Sequence, residues 1–144
     1  MPKGLPSRSQ PTEFGEAASG LHSATISSNQ NSGSYAGALL DILAHARRLD
    51  LKVDYRCVVI DIPKRVPILK VNPGRVRGWD AVDYVAGRTV GDRWLEKGES
   101  AILCVPSMTG RPHELNYIIN PEHPDARRLT VHTPHAVIWD DRLG

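Results

Sequence analysis

VGDRWLEKGESAILCVPSMTGRPHELNYIINPEHP, from Val90 to Pro124, is the stretch on which the fold of this 144-residue chain turns. Gly98 closes a helix and Glu99-Ser100 turn the chain. Ala101, Ile102, Leu103, Cys104 and Val105 are apolar without interruption, as in a strand covered on both faces. Pro106 has no N–H to give to a ladder and ends that strand. Ser107 follows at the strand's mouth, a place where site residues are often carried. Asn116 and Asn120 flank Tyr117-Ile118-Ile119, a second short element, and Pro121, His123 and Pro124 fix its exit.

Upstream, Trp79-Asp80 is expected to open the helix, with Asp80 as N-cap and Val82, Val85, Ala86, Val90 and Trp94 as its apolar positions. Asp54 to Ile62 reads as a strand of strong β preference, ended by Pro63. Val66 to Val71 reads as a short edge-like strand, because Pro67 interrupts it, and Asn72-Pro73-Gly74 as a turn. Ser34 to Arg48 carries Ala38, Leu39, Ile42, Leu43 and Ala46 in one helical stripe. Ser34 is its N-cap, and Arg47-Arg48 sit at the negative end of its dipole. Downstream, Leu129 to His132 and Ala136 to Trp139 read as strands around Thr133-Pro134. Residues 1–33 are rich in Gly, Pro, Ser, Asn and Gln and show no lasting periodicity, so they are expected to be irregular and partly disordered. Residues 34–144 then form one domain. Helices and strands mix without regular βαβ alternation, which predicts an α+β fold.

Composition narrows the function. Apolar content of 40% and charged content of 24% suit a soluble globular protein. A net charge of +2, scattered along the chain, argues against direct nucleic-acid binding. Neither a membrane span nor a secretory h-region is visible. Cys57 and Cys104 lie in apolar runs and are expected as buried, reduced thiols, which points to the cytoplasm. Six histidines show no strong metal spacing, and no metal site is expected. There is no GxSxG elbow, glycine-rich dinucleotide fingerprint or phosphate loop.

Asp41 falls beside the apolar stripe, in line with Gly37 and His45 one turn away on each side. It reads either as a solvated edge residue or as a site carboxylate with a small neighbour that leaves room for a ligand.

Several of these stretches resemble the RES domain family. GDRWLEKGESAILCVPS follows its GDxWLxxGxSAxLxVPS pattern, ELNYIINPEHPD its ExNYLxNPxHPD, DDRL its terminal DxRL, and YAGALLDILAH its YxGALLEILxH. The resemblance implies a fold similar to ADP-ribosyltransferase toxins and the toxin role in a bacterial toxin–antitoxin pair. It also implies NAD+ as substrate, not as a resident cofactor. On the matched positions, Asp41 occupies the place of the family's catalytic glutamate. Ser107 looks like its site serine, and Asn116 and Asn120 match family asparagines that bind ligand or tie down their own loop. His45 matches a position of structural character. The implied partner is a helix-turn-helix, Xre-like antitoxin, with assembly through it left open, and the acceptor is phosphate, water or a protein side chain.

This chain departs from the family twice. Its carboxylate is one methylene shorter, and the N-terminal GGRWNxxG segment and VVY strand have no counterpart: Gln30 stands at the matching tyrosine position. An RES-type toxin cleaving the nicotinamide–ribose bond is therefore set beside two alternatives. One is an inactive RES scaffold that still binds its antitoxin; the other is an interaction module without a nucleotide site.

Overall fold

Short strands are mixed with two helices in a computed structural model that describes residues 14–16, 22–26, 31–45 and 55–143, with the backbone alone at 14–16, 22–26, 31 and 45. In chain order the elements are β1 (Phe14–Glu16), β2 (His22–Ile26), β3 (Asn31–Ser32), α1 (Tyr35–His45), β4 (Arg56–Asp61), β5 (Ile68–Val71), α2 (Val85–Lys97), β6 (Ile102–Pro106), β7 (Leu115–Ile119), β8 (Thr130–Val131) and β9 (His135–Ala136). Short 3-10 turns cover Pro73–Arg75, Pro124–Arg128 and Asp141–Leu143. Among the described residues the strands run β1-β5-β6-β7-β3-β2-β4-β8, with β9 also paired to β4. Among the described strands only β5 and β6 are parallel, and α2 makes the crossover that such a pair requires. The fold is α+β.

The apolar run around β6 is buried because that strand has neighbours on both edges and cover on both faces. Ile102 and Cys104 pack with Ile62, Val66, Ile68 and Tyr117 on one side. Leu103 packs with Val71, Val76, Val90 and Trp94 on the other, beneath α2. A strand covered twice has no polar face, hence its unbroken hydrophobicity. Trp94 donates its indole N–H to Ser100 Oγ at 2.9 Å, and the Ser100 hydroxyl in turn donates to the Ile102 carbonyl. Helix α2 ends at Gly98, whose φ of 58° is left-handed and whose N–H reaches the Trp94 carbonyl.

Helix α1 begins where the capping residue predicts. The Gly37 N–H donates to Ser34 Oγ at 3.0 Å and the Ala38 N–H to the Ser34 carbonyl. Ala38 then packs on Cys57, with Leu39, Ile42, Tyr55 and Val137 around them. The helix end expected near Arg48 lies outside the described residues.

Four expectations change. Helix α2 starts at Val85, not at Asp80. The chain first makes tight turns, Ala81 N–H to Gly78 O and Tyr84 N–H to Ala81 O. Asp83 Oδ1 then takes the Val85 N–H at 3.1 Å, and Tyr84 stands at a φ of 58°, so Val82 is left in solvent. Second, β5 is not an edge: Pro67 precedes it, so the ladder is free to form with β1 and β6. Third, the two C-terminal strands are two residues each, and both lie on β4. Finally, the stretch expected to be irregular over 1–33 supplies β1, β2 and β3, and β2 pairs with β4 along its length. Its Gly, Ser and Asn residues give little local strand signal; partners remote in sequence make the ladder. The rest of that stretch, Gln30 included, lies outside the described residues.

Cys57 and Cys104 are free and buried. Burial raises both thiols above the ordinary value of 9.0; for Cys104 a hydrogen bond with Tyr117 partly offsets that. Among the described residues no helix is long and apolar enough to cross a membrane.

Candidate functional site

The face of the sheet beneath α2 also receives α1. Residues directly opposite each other across a ladder project to the same side. Leu103 faces Ile118, Val105 faces Asn116, and Asn116 in turn faces Ser32 of β3. Ser32 lies under the start of α1, where a Cβ on Gly37 would come within 2.5 Å of its Oγ. One face therefore carries both helices, with Val105 and Asn116 between them.

Asp41 stands on α1 and is 6% exposed. The loop after β6 comes to meet it. Thr109 donates its hydroxyl proton to Asp41 Oδ1 at 2.5 Å, and Thr109 Oγ1 lies 3.1 Å from Ser107 Oγ. Ser107, 1% exposed, accepts the Gly110 N–H on the same oxygen at 3.1 Å. Asp41 and Ser107, far apart in sequence, thus share one hydrogen-bonded chain, and Thr109 is its middle member. A hydroxyl given to a carboxylate is a charge-assisted bond, stronger than one between neutral groups.

The loop is fastened at both ends. The Ser107 N–H donates to the Glu114 carbonyl at 3.0 Å, and the His113 and Glu114 N–H groups share the Gly110 carbonyl. Glu114 Oε2 accepts the Ser34 hydroxyl at 2.8 Å, tying the loop to the cap of α1. Gly110 is packed so closely that a Cβ there would meet Glu114 Cβ at 2.4 Å. Arg111 donates from Nε to the Met108 carbonyl and pairs with Asp80 at 3.3 Å, its guanidinium 6.0 Å above the Trp79 ring.

Beside this network, on the α2 half of the same face, is a cavity of about 510 Å³. Its walls include Trp79, Tyr84, Trp94, Val105, Met108 and Ile118. Asp41, Ser107 and Thr109 do not line it, but Pro106 and Met108, which flank Ser107, do. The volume lies within the usual range for small-molecule sites, and the walls are mostly apolar, as such sites are.

The expected asparagines part company. Asn116 sits opposite Val105, and its Oδ1 is buried with no hydrogen-bond partner among the described residues. Asn120 lies past the other end of β7, about 13 Å along the strand from Asn116 at ~3.3 Å per residue. Its N–H donates to the Ala101 carbonyl at 2.8 Å and its Oδ1 accepts the Glu122 N–H at 3.1 Å, so it ties down the turn out of β7. The small residue beside Asp41 leaves no space either: Gly37 is crowded by Ser32, Ser34 and Glu114. Thr109 was not anticipated, and no local signal marks it. Glu114 was visible only as the first letter of ELNY.

The chain matches the family model described as RES domain over residues 32–141. It belongs to the RES domain family. Among curated proteins it is 33% identical over 116 residues to the "Prs ADP-ribosylating toxin" of Sphingobium sp. (strain YBL2), covering 76% of this chain and 70% of that protein. It is also 33% identical over 97 residues to the "Toxin Res" of Pseudomonas putida (strain KT2440), covering 66% of this chain and 65% of that one. RES proteins are a toxin family generally paired with an antitoxin. The matched span of this RES domain starts at β3, so Asp41, Thr109 and Ser107 all fall inside it.

Proposed function

We propose that this RES protein is a toxin that consumes NAD+ by breaking the nicotinamide–ribose bond. The observation that carries the proposal is the Asp41–Thr109–Ser107 chain at the border of an aromatic-walled cavity. A cavity walled by Trp79, Tyr84 and Trp94 suits the flat rings of a dinucleotide. The reaction places positive charge on the ribose: the bonding pair leaves with the pyridine nitrogen and nicotinamide departs neutral. A carboxylate beside the sugar stabilises that charge as it develops, which is the role given to Asp41. Ser107 and Asn116 have oxygens that accept hydrogen bonds from ribose hydroxyls or the carboxamide. An acceptor oxygen then bonds to the anomeric carbon and releases its proton. The name of the Sphingobium relative favours a protein side chain as that acceptor, with phosphate and water as the other arms of the test. The partner in this reading is an Xre-like antitoxin that covers the site, and the place of action is the cytoplasm, where NAD+ is plentiful.

The test is to incubate purified protein with NAD+, with and without phosphate and with candidate protein acceptors, and to follow loss of the dinucleotide. Consumption is expected. Asp41→Asn should lower it on the order of 10²-fold or more by removing the charge that the transition state needs; activity that survives would remove Asp41 from the mechanism.

A second reading is an inactive scaffold that binds its antitoxin. The burial of Asp41 and Ser107 together with the shorter carboxylate favours it. Intact NAD+ at high protein concentration, with antitoxin still bound, is the result that reading requires.

A further inference from the structure

We infer that Thr109 is a positioning residue of this site: its hydroxyl spans the gap between a short carboxylate and Ser107 and sets which way the serine's proton points. The inference rests on the proposed NAD+ chemistry.

Donor counting carries it. A hydroxyl has one proton to give. Thr109 gives its proton to Asp41 Oδ1. In the 3.1 Å contact with Ser107, Thr109 is therefore the acceptor and Ser107 the donor. Ser107 Oγ meanwhile accepts the Gly110 N–H. That leaves Ser107 one free lone pair and no free proton. Toward a ligand the serine is an acceptor, as carboxylate oxygens are. The pair thus suits a group that donates, such as the hydroxyls of a ribose, and disfavours one that only accepts.

Reach is the second part. Aspartate is shorter than glutamate by one carbon–carbon bond, about 1.5 Å. Asp41 meets Ser107 through Thr109, whose oxygen stands between theirs. A glutamate at the same place would extend into the volume that Thr109 occupies. The spacer is also held firmly. Gly110 beside it has no room for a side chain, and Ser107 and Arg111 fasten the loop at the Glu114 and Met108 carbonyls. Thr109 is part exposed while Asp41 and Ser107 are buried, so it can hold both groups without itself being locked in the core.

The experiment is steady-state NAD+ consumption by the full chain in which Thr109 is replaced, with melting curves to verify folding. Thr109→Val keeps the shape and removes the hydroxyl; it should lower kcat about 10- to 100-fold. KM should change less than kcat, because valine fills the same space and only the direction of the Ser107 proton is released. Thr109→Ser should recover most of the lost rate. Thr109→Ala combined with Asp41→Glu should exceed both single variants, since the longer carboxylate then fills the vacated space. Loss of kcat in Thr109→Val with no recovery in Thr109→Ser would show that restoring the hydroxyl does not restore the rate and would overturn the inference. So would wild-type rates in Thr109→Val, and in that case NAD+ consumption itself would stand. A wild-type protein inert toward NAD+ overturns both.

Discussion

Two helices cover the same face of one sheet, and they do it by different means. The α1 half is fastened by directed polar contacts: Ser34 to Glu114, Thr109 to Asp41, and the cap of the helix itself. The α2 half is held by Val90 and Trp94 on Val71, Val76 and Leu103, with Trp94 to Ser100 as its polar anchor. The first half is tight enough to crowd Gly37 and Gly110; the second leaves about 510 Å³ unfilled. Hydrogen bonds weaken steeply when distance or angle drifts, so a polar contact fixes direction. Apolar burial has no direction and tolerates a gap at modest cost. Groups that must be aimed belong in the first half, and volume for a ligand belongs in the second.

The comparison can be broken most forcefully from the apolar side. Leu103→Ala removes the residue on which α2 rests and should cost about 2–5 kcal/mol in urea unfolding. A loss far below that range would mean that α2 is held by something other than this packing. From the polar side, Gly110→Ala forces a methyl into Glu114 and should cost about 1–3 kcal/mol, read as a lowered melting temperature. A neutral outcome would show that the loop yields, and the claim of a rigid polar half would fail.

The opposite face of the sheet offers a pH test. Cys104 and Tyr117 are both raised, first by burial and then, for Tyr117, by the neighbouring Cys104. Each therefore holds its proton in the folded state after the unfolded chain has lost it. Their contribution is fully present below the ordinary values of 9.0 and 10.0 and is lost as pH rises beyond them. Unfolding titrations should show stability falling above pH 9, approaching about 1.4 kcal/mol per pH unit for each group. Cys104→Ala should delay the fall; an unchanged profile would show that the thiol is not its source. The smallest effect is a gain. A Cβ at Gly87 of α2 meets nothing within 4 Å, so Gly87→Ala should stabilise by about 0.5–1 kcal/mol through helix propensity. A loss there would mean that the α2 half is less open than its cavity implies.

What the sequence alone determined was whatever rests on neighbours in the chain. The apolar run before Pro106 marked β6, and Ser34 marked the start of α1, because strand hydrophobicity and helix capping are local. The motifs around Asp41 and Ser107 were legible for the same reason, and they identified the family before any contact was known. The start of α2 was misplaced because Asp80 and Asp83 look alike as caps, and only the turns between them decide which one is used. The three N-terminal strands were invisible, since their pairing energy comes from β4, β5 and β7. Thr109 is the clearest case of all. Its chemistry depends on one oxygen from a helix 68 residues earlier and one from two residues before it. Only tertiary folding brings the Asp41 oxygen to hydrogen-bond distance, because the bond acts over ångströms while three strands and a helix lie between Asp41 and Thr109 in the chain.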